Sequence, residues 1–109
     1  MASIQGYTDQ DKAVIQRLTE KALKVLIEEA WPSFVCFDLP GINYEAHFQV
    51  KRVGGDWQFI VGIVEVGSDV FRSNWIMHST RENLLQYLAS EKARTSAYAA
   101  VLGLSATRE

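Results

Sequence analysis

The sequence predicts a small α+β protein with the element order α-β-β-β-β-α. A four-stranded, mainly antiparallel meander is backed in two layers by an N-terminal and a C-terminal helix. Three stretches carry this expectation. Residues 57–66 (WQFIVGIVEV) are apolar at nearly every position and rich in β-branched and aromatic types, the composition of a strand with neighbours on both sides. Residues 44–53 alternate cleanly, with Tyr44, Ala46, Phe48 and Val50 on one side and Glu45, His47, Gln49 and Lys51 on the other. Val14, Ile15, Leu18, Ala22, Val25, Leu26 and Ala30 recur at helical spacing, with Leu23 and Ile27 widening the stripe.

Taken in order, residues 1–7 form a loose lead-in. Thr8, with Asp11 three residues on, caps the first helix, and Asp9 and Asp11 suit its positive end. Pro32 forces Trp31 out of the helical region and stops it. Residues 33–39 (SFVCFDL) have strand composition, and Pro40-Gly41 signals a type II turn. Type II turns match tight hairpins poorly, so the partner of this strand stays open. Gly54-Gly55 suits a two-residue type I′ hairpin, Gly67-Ser68-Asp69 makes the next turn, and residues 70–78 form the last strand. Ser79 with Glu82 forms a capping box, with Thr80 as an alternative cap, and Leu84, Leu85 and Leu88 follow on a helix. Beyond Ser90 the stripe changes to Ala89, Ala93, Ala97 and Ala100, so the helix either continues along its alanines or breaks near Ser90. Gly103 is the expected stop, and residues 105–109 a frayed tail.

The register follows from matching faces, because a slip of one residue turns a strand over. A two-residue loop at Gly54-Gly55 pairs Phe48 with Val61, and a three-residue loop at 67–69 pairs Val61 with Trp75. One face then reads Tyr44, Ala46, Phe48, Val50, Phe59, Val61, Ile63, Phe71, Trp75 and Met77, apolar almost throughout. The other face has the rows Glu45–Val64–Arg72, His47–Gly62–Asn74, Gln49–Ile60–Ile76 and Lys51–Gln58–His78.

A chain of 109 residues is one domain, 1–109, long enough for a single core. A net charge of −2 with interspersed signs speaks against a nucleic-acid binder. Cys36 is the single cysteine, which excludes an intrachain disulfide and fits a reducing compartment. The N-terminus lacks a signal pattern and no apolar run reaches spanning length, so no membrane association and a cytoplasmic location are expected.

No stretch carries a reaction. His47 and His78 lie two rows and two strands apart in the expected register, and no spacing matches a zinc site, so no metal, cofactor or catalytic residue is expected. Cys36 reads as an inert, half-buried thiol without a cationic neighbour. Glu45 and Asp38 are a possible carboxylate pair of unfixed separation. Gly54-Gly55 precedes no helix and is a turn, not a phosphate cradle.

What remains is the second sheet face. Ile60, Val64 and Ile76 form an apolar strip bordered by His47, Gln49, Arg72 and Asn74, the composition of a partner-binding patch. Glu28 and Glu29 oppose the dipole at the end of the first helix and, with Asp38 and Glu45, offer an acidic surface to a basic partner. The expected function is therefore a non-enzymatic protein-binding module. Its most concrete form is a small inhibitor of immunity type, neutralising a toxin or nuclease partner. A secretion chaperone or adaptor is the first alternative, and a homodimeric ligand-binding protein or small enzyme using the outer face is the second.

Overall fold

In the computed structural model, residues 7–106 are described, apart from the side chains of Asn74 and Ala106. The chain forms α1 (Asp9–Glu28), β1 (Ser33–Asp38), β2 (Tyr44–Val53), β3 (Asp56–Glu65), β4 (Phe71–Ser79), α2 (Arg81–Leu88) and α3 (Glu91–Ala106). The strands pair antiparallel in sequence order, which makes β2 and β3 the inner strands and leaves β1 and β4 at the edges. β1, whose partner the sequence left open, pairs directly with β2, setting Cys36 opposite His47 and Asp38 opposite Glu45.

The helix starts follow local chemistry. Thr8 Oγ1 accepts the Asp11 N–H at 3.0 Å while the Asp11 carboxylate accepts the Thr8 N–H at 3.3 Å, a reciprocal capping box. At α2 it is Thr80, and not Ser79, whose hydroxyl accepts the Asn83 N–H, because Ser79 is still paired in β4. The second helix breaks at Ser90. The Ser90 hydroxyl donates to the Tyr87 carbonyl at 2.6 Å and accepts the Ala93 N–H at 3.2 Å, closing one helix and capping the next.

All three helices pack on one face of the sheet. α1 lies over β1 and β2 and beside α3, which covers β3 and β4 together with α2. Phe48, Val50, Phe59, Val61 and Ile63 from the sheet join Ile15, Leu23 and Leu26 of α1 and Leu84 and Leu88 of α2 in one core. Ala93, Ala97 and Ala100 are buried there too, since a side chain ending at Cβ lets α3 approach the sheet closely.

Several expectations are corrected. The buried face of α1 is Ile15, Thr19, Ala22, Leu23 and Leu26, whereas Leu18, Val14 and Val25 are only half-buried. β1 is the sheet edge beneath this helix, so Leu18 and Val25 overhang it and line a small cleft with Val35, Cys36 and Phe37. α3 runs through Gly103 to Ala106, and Tyr7 and Ser105 are buried, so neither belongs to a frayed tail. Residues 1–6 and 107–109 of the expected tails lie outside the described residues. In the Gly54-Gly55 hairpin only Gly54 has positive φ, 62°, the pattern of a type II′ turn and not of type I′.

The register of β2 with β3 is the one expected, from Tyr44 opposite Glu65 to Val53 opposite Asp56. β3 and β4 also match as far as Val61 opposite Trp75. There β4 carries a bulge, and the next pairs are Gly62 with Ser73, Ile63 with Arg72 and Val64 with Phe71. The extra residue is Asn74. Ser73 stitches the irregularity: its hydroxyl donates to the Val61 carbonyl at 2.6 Å and lies 3.4 Å from the Trp75 N–H. Beyond the bulge the faces exchange, so Phe71 turns to the outer face and Arg72 to the helix-packed face. The Phe71 ring needs Gly62 beneath it. A Cβ there would stand 2.6 Å from the Arg72 carbonyl oxygen and closer still to the ring of Phe71.

Candidate functional site

The sheet face away from the helices carries the candidate site. β1 contributes Phe34, Cys36 and Asp38, and β2 contributes Glu45, His47, Gln49 and Lys51. Gln58, Ile60, Gly62 and Val64 of β3 and Phe71, Ser73, Ile76 and His78 of β4 complete it. No described element covers this face. Phe34 is 54% exposed, Ile76 56% and Phe71 37%.

The residues singled out from sequence divide. Ile60, Val64, Ile76, His47 and Gln49 share this face as expected. Ile60, however, is only 6% exposed although it is not part of the core beneath the helices, so its neighbours on the sheet seal it. Arg72 is removed from the patch by the bulge, and a guanidinium nitrogen lies 3.4 Å from the Leu104 carbonyl oxygen in α3. Asn74, placed beside His47 from sequence, is the bulged residue. Ser73 takes the place opposite Gly62, and the side chain of Asn74 lies outside the described residues. Glu28 and Glu29 are exposed at the end of α1, in the helical layer, and are not brought to this face. His78 sits opposite Gln58, in the row of Lys51 and away from His47.

Glu45, Cys36, Phe34 and Phe71 are gathered around His47. Its Nε2 is 3.1 Å from Glu45 Oε1, the two residues being neighbours on one face of β2. Its ring lies between those of Phe34, 5.0 Å away by centroids, and Phe71, 6.2 Å away. Cys36 stands directly across from it, and its thiol, the Glu45 carboxylate and a His47 ring nitrogen lie within 4.8 Å of one another. Cys36 is exposed and not half-buried as expected. Partial desolvation raises the pKa of its thiol, and the charges of Glu45 and Asp38 raise it further. That is the opposite of what a nucleophilic thiolate requires. Direct β1–β2 pairing is the signal that places Phe34, Cys36 and His47 together.

Among the described residues no helix is long and apolar enough to cross a membrane. Comparison of the chain with protein-family models, with curated proteins and with solved structures found no match.

Proposed function

We propose that this chain is a protein-binding domain that docks its partner on the helix-free face of the sheet, and that it acts by binding and not by catalysis. The observation that supports this most is the exposure of Phe34, Phe71 and Ile76 on one face, around the sealed Ile60. Large apolar side chains gathered on a surface and bordered by Lys51, Gln49, Glu45 and Asp38 make up the core and rim of a contact patch. The centre of such a patch carries most of the affinity, and its charged border tunes the association rate.

The test is a tagged-protein capture from the native host, run in parallel with variants. A protein held stoichiometrically by the parent and by Gln86→Lys, an exposed change in the helical layer, should be lost from Phe34→Lys and Ile76→Lys. A partner retained by both face variants while lost with Gln86→Lys would move the contact to the helices. Sedimentation of the parent alone separates a second copy of the chain from a foreign partner.

A further inference from the structure

We infer that Cys36, His47 and Glu45 form a binding site for a thiophilic divalent cation of the zinc class, with one coordination position left open to solvent. The donor atoms already lie within 4.8 Å of one another, and the imidazole and carboxylate are 3.1 Å apart. A tetrahedral zinc ion, with bonds of about 2.0–2.3 Å, holds its donors about 3.3–3.7 Å apart. The nitrogen–oxygen distance thus needs only slight opening. Cys36 is an exposed residue on the edge strand β1, so side-chain rotation can bring the sulfur in without moving a strand.

Three features set this cluster apart from a chance gathering of polar groups. The donors stand on adjacent paired strands, with Cys36 opposite His47 and Glu45 two residues along on the same face, so the ladder fixes their separation. The imidazole is held between the Phe34 and Phe71 rings, and its side chain is only 13% exposed, which gives a ligand oriented in advance. Asp38, opposite Glu45 on the same face, adds negative charge beside the thiol. A sulfur, an imidazole nitrogen and a single carboxylate suit a borderline-soft ion, whereas calcium and magnesium require sets of oxygens. With three protein ligands the fourth position falls to water or to a donor on a docked molecule. On binding, the sulfur–metal bond forms as the thiol releases its proton to solvent, with no change of oxidation state.

The inference does not depend on the proposed docking function, and its test needs no partner. The reduced protein is titrated with Co²⁺ and then with Zn²⁺. One Co²⁺ per chain, with intense tetrahedral d–d bands and a thiolate-to-metal charge-transfer band that Zn²⁺ abolishes, is the expected result. Cys36→Ser should remove the charge-transfer band, and Cys36→Ser and His47→Gln should each weaken Zn²⁺ by more than about a hundredfold, beyond the cost of an outer-shell partner. Glu45→Gln should weaken it by more than about tenfold, and His78→Asn should leave it unchanged. In the unaltered protein Zn²⁺ should also protect Cys36 from alkylation, a measurement that needs no variant to fold. Absence of binding, octahedral Co²⁺ without charge transfer, or full affinity in Cys36→Ser would each overturn the site.

Discussion

The Thr19 hydroxyl is fully buried on α1, and its oxygen has no hydrogen-bond partner among the described residues. Burying an unpaired hydroxyl costs about 1–3 kcal/mol by mutational measures, so a residue of the same shape without it should be favoured. Thr19→Val is expected to raise stability by about 1 kcal/mol, read as a higher urea midpoint at unchanged slope. A lower midpoint would show that the hydroxyl is satisfied. Gly62 presents the converse case, a position where one added carbon has no room. Gly62→Ala should cost about 1–3 kcal/mol, the usual range for overpacking. In a Phe71→Ala background that cost should shrink without vanishing, because the Arg72 carbonyl stays in place. At this scale the sequence is least legible. The periodicity of β2 puts Glu45 and His47 on one face, but nothing local says that Cys36 stands across from them, because that depends on how a separate strand pairs.

Elements are legible where a repeating pattern has a single solution. The alternation of β2 against the apolar run of β3 admits one good register, and that register is observed. For β4 the straight register holds only from Trp75 onward. A bulge adds one residue and exchanges the faces on one side of itself, and the signs that mark it, Ser73 and Gly62, act through a hydroxyl bond and a close ring approach that periodicity does not record. The consequence is testable at Arg72. From the straight register its removal should be neutral, within about 0.5 kcal/mol. On the helix-packed face, with its guanidinium toward the Leu104 carbonyl, Arg72→Ala should cost about 1 kcal/mol. The inward face of α1 makes a parallel case. Leu26→Ala, in the core, should cost about 2–5 kcal/mol, and Leu18→Ala, at the overhanging flank, clearly less. Equal midpoints for the two variants would place the stripe where the sequence put it.

At the scale of the whole molecule, the described residues place three helices on one side of a four-stranded sheet and no layer on the other, and that asymmetry orders the cost of placing a charge. Val61 and Ile60 of the inner strand β3 and Ile76 of its edge neighbour β4 face three different environments. Val61 is fully buried beneath the helices, Ile60 is 6% exposed on the open face, and Ile76 is 56% exposed beside it. A lysine at 61 would hold an unpaired charge inside the core, and its large cost, above about 4 kcal/mol, should abolish cooperative folding. At 60 the lysine stem displaces packed neighbours, but the ammonium can reach water because no described element lies above it, so about 1–3 kcal/mol is expected. At 76 the change should stay within about 0.5 kcal/mol. The three substitutions, compared by urea denaturation at low protein concentration, should therefore rank Val61→Lys far worst, Ile60→Lys intermediate and Ile76→Lys near the parent. Ile76→Lys unfolding as readily as Val61→Lys would mean that this face is covered in solution, and both the docking patch and the open metal position would have to be abandoned. A concentration-dependent loss confined to Ile76→Lys would instead identify a second copy of the chain as the covering layer.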